Sequence, residues 1–558
     1  MGKKLHSEMK GSPSLLVFCL SLSMFLGVYL QVGDNIYGPN MILKMLGLFV
    51  PIFIGFSATF IRKTPGLDLH ISKAEIYWIT IIGLFGIAQM LNTSNEINLT
   101  LGVADRNLGG ATLGIALLAY IGGKCLARHD LKYLIIAIFL IAGLQSLIVL
   151  YQRFLKADVQ NLDGLLVAPS VFGTFYNSNP LSFFLGITCS AIFAYALQSN
   201  LSKSQVFSSL VLLFIVFLGL VNSGSFQGLL GFLITSLLYF SSRCFKYVRN
   251  RFNLVLIATY GIGVITFLIT VLVIPISSST NFTTNPYFER LEIYKSAIAM
   301  FISHPIMGAG VDSFASQYGH FTISSDLKLV DNAHSILLQT LATQGVIGCI
   351  LLLSFIFWVL SFRYSEDQSD YAQWNFFQSI FFTFMAIGII GIDHPVISFL
   401  AFLSAGVLSG KSKKSISAKV LKLGRPRVLA LHFTVVALSI FIAFTVIPNT
   451  FRELKVSNAL SQLSTRNISP ETFESQVLTD YKGIKNSRLM LNVGQAFVAL
   501  DNRKQSNQVA SAMLAKFPDD QRTSALLFLI ADKWSDQDAL NLAVDLRDRL
   551  FPKSASLK

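Results

Sequence analysis

The stretch DNAHSILLQTLATQGVIGCILLLSFIFWVLSF, residues 331–362, runs from a polar turn into an apolar segment without a break. From Ser335 to Phe362 it carries no charged side chain. It is longer than the roughly 20 residues that an α-helix needs to cross the hydrocarbon core of a bilayer. The segment therefore reads as a membrane span with an ionisable residue, His334, at its mouth. Similar runs lie near 13–32, 40–61, 75–92, 108–126, 132–154, 179–197, 207–222, 226–241, 253–276, 374–392, 396–410 and 428–447. The fold class that follows is all-α: a polytopic helical membrane protein of about 13 spans.

Composition agrees. Of 558 residues, 53% are hydrophobic and 13% charged, and the mean hydropathy is +0.59, which leaves too little polar surface for a soluble globule. The net charge of +14 does not indicate nucleic acid, because the lysines and arginines sit in short clusters between apolar runs and form no basic-aromatic stripe. Five cysteines, Cys19, Cys125, Cys189, Cys244 and Cys349, form no CxxC pair and imply neither a disulfide framework nor a zinc site. The basic start MGKKLHSEMK leads into the first apolar run without a small-x-small cleavage site, so that run reads as a retained span.

Cytoplasmic connectors are enriched in Lys and Arg. With the N-terminus inside, 22 of these residues fall on inner segments, including Arg62–Lys63, Lys124–Lys132, Arg243–Arg251 and Lys411–Arg427, against 7 on the outer side. Thirteen spans then put the C-terminus outside. The chain divides into a polytopic membrane domain, 1–447, whose large extracytoplasmic loop is 276–334, and an extracytoplasmic helical domain, 448–558. The tail alternates charged and apolar positions at helical spacing. Phe517-Pro518 and Phe551-Pro552 stand 34 residues apart, the period of tetratricopeptide-like (TPR-like) helix pairs, although a plain set of helical hairpins fits as well.

The large loop collects the residues able to do chemistry. Arg290, Tyr294, Ala297 and Phe301 share a helix face, so a helix at the membrane surface aims Arg290 at a headgroup phosphate, whose geometry suits a planar guanidinium. An arginine that only anchors such a helix has the same pattern. His304-Pro305, with Gly308 and Gly310, reads as a helix stop and tight turn. His334 can take a proton from a hydroxyl near neutral pH, or serve as a hydrogen-bonded structural residue. Its neighbours Asp331 and Asn332, and Gly345 and Gly348 beyond, favour the chemical role.

These residues resemble the superfamily of O-antigen ligases, Wzy-type polymerases and protein O-oligosaccharyltransferases. Its H-x10-G-x-x-G pattern matches His334, Gly345 and Gly348, and its arginine-headed loop helix followed by HP-x-x-G-x-G is similar to Arg290 and then His304, Gly308 and Gly310. The segment Gly173-Thr-Phe-Tyr-Asn177-Ser-Asn179-Pro180 is more loosely similar to a glycine- and asparagine-rich stretch of the family. Two departures stand out. Ligases carry an arginine where Ser223-Gly-Ser-Phe-Gln227-Gly stands, and their Arg-x3-Leu reads Arg290 to Tyr294.

The resemblance implies transfer of a glycan from an undecaprenyl-diphosphate carrier to a glycan, lipid or protein acceptor, without metal or cofactor, on the outer face of a bacterial plasma membrane. Such a reaction needs cations for the departing diphosphate and a base for the incoming hydroxyl. Arg290 and His334 are the catalytic candidates. Arg106, Arg153, Tyr294, Gln227, Asp331 and Asn332 are candidates to bind substrate. A transporter or flippase of lipid-linked sugars is the rival reading, but the chain shows no twin for its one large loop. A membrane scaffold that presents a repeat domain offers no reason for His334 at a membrane mouth. Among transferases, polymerase, ligase and oligosaccharyltransferase all remain open.

Overall fold

The computed structural model describes residues 14–30, 40–61, 73–92, 109–155, 171–198, 201–245, 248, 251–273, 286–322, 330–363, 371–412 and 451–551, except positions 176, 312, 392, 485 and 519. Among the described residues it is all-helical, with 83% helix and no strands. The helices are α1 Leu15–Tyr29, α2 Asn40–Ile61, α3 Lys73–Asn92, α4 Gly110–Cys125, α5 Arg128–Phe154, α6 Ser178–Ala196, α7 Lys203–Val221, α8 Gln227–Cys244 and α9 Phe252–Val273. After them come α10 Pro286–Ser303, α11 Phe314–Phe321, α12 Ile336–Leu360, α13 Tyr371–Gly388 and α14 Pro395–Lys411.

Every apolar run predicted up to residue 411 coincides with one of these helices. Among the described residues, five helices are long and apolar enough to cross a membrane: α5, α6, α7, the Phe252–Leu272 part of α9, and α12. The helix α1, the Leu43–Ala58 part of α2, α4 and α14 are apolar but shorter. The predicted span 428–447 lies outside the described residues, as does Arg106.

Local chemistry sets the helix starts. Ser202 and Gln205 form a capping box at α7, and Asn177 accepts the Asn179 N–H at 2.8 Å to open α6. His394 caps α14 by accepting the Val396 N–H, with Pro395 at the first helical position. Between helices, small residues permit close approach, as expected where apolar lipid gives no solvent-driven association. A Cβ on Gly123 of α4 would meet the Leu403 carbonyl of α14, and one on Gly406 would meet the Tyr120 carbonyl of α4. On Gly228 of α8, a Cβ would meet the Ser182 carbonyl of α6.

Polar residues tie helix ends together in two sets. In the first, Ser14 donates to Asp130 at 2.9 and 2.8 Å, and Glu75 at the start of α3 takes Tyr120 and Ser409 at 2.7 Å each and pairs with Lys124. In the second, Ser225 donates to Asn179 at 2.8 Å, Thr174 to the Val28 carbonyl at 2.8 Å, and Gln89 to the Met307 carbonyl at 2.7 Å. The two ends of α1, and likewise the two ends of α3, fall into opposite sets.

The buried side chains of α1, α2, α4–α9 and α12–α14 form one apolar core. The tail has its own core, from Val456 to Phe551. Residues 451–464 are helical, followed by α15 Pro470–Leu478, α16 Ser487–Ala499, α17 Arg503–Lys516, α18 Gln521–Trp534 and α19 Gln537–Leu550. The 34-residue register seen in the two Phe-Pro pairs reaches the backbone. Asn486 and Asp520 cap α16 and α18, and Asn502 and Asp536 cap α17 and α19. Asp501 (φ 56) and Ser535 (φ 51) make the same left-handed turn between paired helices, and Phe517 and Phe551 end α17 and α19 in nearly the same conformation.

Candidate functional site

The site is organised by a break in α12. At Gly345 the backbone turns to φ 66 and ψ −165, a region only glycine occupies at low cost. A break strands carbonyls and amides that must be paired elsewhere, and the 305–310 segment pairs them. Ala309 N–H donates to the Ala342 carbonyl at 3.0 Å, and Gly310 N–H to the Thr343 carbonyl at 2.9 Å. In return Val346 N–H donates to the Pro305 carbonyl at 2.8 Å and Ile347 N–H to the Ile306 carbonyl at 3.4 Å. A Cβ on Gly345 would strike the Ile306 carbonyl, and one on Gly308 (φ 72) would strike the Thr343–Gln344 backbone. Two motifs that are separate in the sequence, His304-to-Gly310 and Gly345-to-Gly348, are therefore one interlocked unit.

His334 stands at the head of this helix. Its φ of 49 puts a non-glycine residue in the left-handed region, a conformation held only where the surroundings over-determine it. Asn332 accepts the His334 N–H on Oδ1 at 2.8 Å, and Gln339 accepts the Ala333 N–H at 2.8 Å. Ser335 caps α12 by accepting the Leu338 N–H at 3.2 Å. The turn projects a half-buried His334 at the rim, while Asn332 and Ser335 are buried beneath it.

Tyr294 reaches the His334 turn from α10, the helix that also carries Arg290. Tyr294 is buried in a small separate core with Phe314, Tyr318, Ala333 and Leu338, its ring edge-on to Phe267 at 5.1 Å. Its hydroxyl donates to the His334 carbonyl at 3.5 Å. Burial raises the Tyr294 hydroxyl above its ordinary pKa, and the charge of Arg290 lowers it in part. Arg290 is half-buried and precedes Tyr294 by one helical turn of α10. On the far side of α10, Thr322 donates to Glu292 at 2.6 Å and fastens the end of α11. Tyr318 there is raised by burial first and by the Glu292 charge second.

Asp331 is engaged by a residue that sequence reasoning missed. Arg522, at the start of α18 and 1% exposed, forms an ion pair with Asp331 and a second with Asp520 at 3.4 Å. The partners are 191 residues apart, so no local spacing signals the pair. Nearby, a Cβ on Gly319 of α11 would meet the Leu550 carbonyl at the end of α19. The tail and the large loop are therefore in contact at two points.

The remaining predicted residues are dispersed. Gln227 is buried at the start of α8, beside Gly391, and Gly388 at the end of α13 lies against Ile336 of α12, so Gln227 and His334 flank the same helix end. Arg153 is exposed in the last turn of α5. His304 is exposed, its Nδ1 hydrogen-bonded with Ser303 Oγ at 2.8 Å. Gly348 packs within α12 against Gln344 and Thr340. The Gly173 turn (φ 55) is gripped by Gln152, which accepts its N–H at 2.8 Å and donates to its carbonyl at 3.1 Å. Among the described residues, no three His, Cys, Asp or Glu side chains cluster so as to hold a metal ion.

The chain was compared with known proteins. The family model described as O-antigen ligase matches residues 210–353, from α7 through the break in α12. No curated protein matches the chain. The matched segment contains Arg290, Tyr294, the 304–310 segment, His334, Gly345 and Gly348, and over that segment the chain is similar to the O-antigen ligase family, which supports membership of that superfamily.

Proposed function

We propose that this protein is a membrane glycosyltransferase that moves a glycan from an undecaprenyl-diphosphate carrier to an acceptor hydroxyl during surface polysaccharide or glycoconjugate assembly. The observation that supports the reading is the contact between α10 and the His334 turn, made by Tyr294 one helical turn after Arg290, inside the segment that matches O-antigen ligase. In the reaction the acceptor oxygen attacks the anomeric carbon, and the bond from that carbon to the diphosphate oxygen breaks. His334 takes the hydroxyl proton as general base. Arg290 meets the charge that develops on the departing diphosphate.

The working face is the extracytoplasmic side of a bacterial plasma membrane, as the charge bias of the connectors indicates. Contact of the tail with Asp331 and Gly319 supports one face for both tail and loop. The tail then reads as a TPR-like extracytoplasmic domain, a form suited to binding a protein. Asp331 and Asn332 shape the His334 turn, while Gln227, Arg153 and Arg106 are the residues proposed to touch donor or acceptor.

The test is genetic and chemical together. Deleting the gene should leave lipid-linked glycan unused in the host membrane. Lipid-linked single repeats accumulate if the enzyme is a polymerase, lipid-linked polymer if it is a ligase, and a protein loses its glycan if it is an oligosaccharyltransferase. Complementation with His334→Ala or Arg290→Ala should restore transfer at no more than about a hundredth of the wild-type rate, the scale of a lost general base or charge-stabilising group. Surface glycan unchanged in both variants would sink the proposal.

A further inference from the structure

We infer that the C-terminal domain is a positioning element for the candidate base, with Arg522 as the residue that fastens it to the His334 turn. The inference rests on the role given to His334 above.

A guanidinium that is 1% exposed cannot stay buried without partners, because desolvating a charge costs more than packing returns. Its partners are Asp331 and Asp520, and Asp331 lies three residues before His334. The turn between them has a non-glycine residue at φ 49, held by the side chains of Asn332 and Gln339. Such a conformation is strained and persists only under external restraint. The Arg522–Asp331 pair clamps the turn from the tail side. The Gly319–Leu550 approach fixes the other side of the same loop. Asp520 also caps α18, accepting the Arg522 N–H at 2.9 Å, so the clamp belongs to the rigid start of a helix. Removing the Arg522 side chain leaves Asp331 and Asp520 without the cation that joins them, and the tail loses its hold on the turn.

The experiment uses full-length protein in membranes. Hydrogen exchange is measured over 331–338 and over the tail core 489–497, alongside kcat and donor KM for glycan transfer. In Arg522→Ala, exchange at 331–338 should rise while 489–497 stays protected. The kcat should fall on the order of 10-fold or more, the scale of a misplaced catalytic group, with donor KM within about twofold. Arg522→Lys, which keeps the charge, should recover part of the kcat. Gly319→Leu, which opens the second contact, should reproduce the Arg522→Ala profile. Faster exchange with unchanged kcat would overturn the positioning role, and unchanged exchange at 331–338 would overturn the clamp itself. A wild-type protein with no transfer activity would instead overturn the functional reading, and the exchange data would still decide whether Arg522 orders the turn.

Discussion

Asp393 lies in the connection between α13 and α14, where it accepts hydrogen bonds from the His394 N–H at 2.7 Å and from Ser398 Oγ. Burial pushes its carboxyl up to about 6, against the hydrogen bonds that favour the anion. The folded state therefore holds this proton more tightly than the unfolded state, which releases it near the ordinary carboxylate value. Its contribution is most favourable below that value, declines as pH rises towards 6, and is constant and unfavourable above it. Asp393→Asn should thus gain thermal stability over wild type progressively from about pH 4 to 6, with no further gain above. Melting curves in detergent check this, and a difference that shrinks across that interval would refute it. Gly345 is the second residue with a direct consequence. Gly345→Ala forces a side chain onto the Ile306 carbonyl at a backbone angle only glycine takes cheaply, and should destabilise by at least ~2 kcal/mol. Gly261, which has no atom near a built Cβ, should tolerate alanine and serves as the control.

The break in α12 and the 304–310 segment show at the scale of elements what a sequence can and cannot display. The apolar run after Ser335 reads plainly as a helix because one-dimensional hydropathy is enough to find it. Gly345 and Gly348 stand out within it only as residues that weaken a helix. That the break is stitched to Pro305–Gly310 does not show, since backbone hydrogen bonds across that gap leave no mark on side-chain pattern. The tail register was legible for the opposite reason: its period is written in the residues themselves, as Phe517-Pro518 with Phe551-Pro552 shows. Arg290 and His334 were legible as chemical types at a membrane mouth. Tyr294 was seen as a face partner of Arg290, but its burial beneath the His334 carbonyl needed coordinates. Gly308→Ala should behave as Gly345→Ala does, because each would press on the other's strand. A double variant should therefore lose much less than the sum of the two single losses, which chemical denaturation of the purified pair would measure.

At the scale of the whole molecule, helices pack through small residues. Gly406→Leu should separate α14 from the Tyr120 carbonyl of α4, lowering thermal stability and the yield of folded protein extracted from membranes. Gly83→Leu, at a position with open space, should leave both unchanged, and equal losses in the two would refute the packing argument. The succession of apolar helices was legible from hydropathy because a bilayer demands long apolar runs. The Arg522–Asp331 seam was not, because it joins two units whose own sequences are each complete without it. The interlock at Gly345 has one further consequence, for biogenesis. The 305–310 segment is synthesised before residues 342–347, and the backbone groups it pairs with belong to the helix that follows. The segment cannot reach its final form until α12 is in place, so its folding waits on that helix.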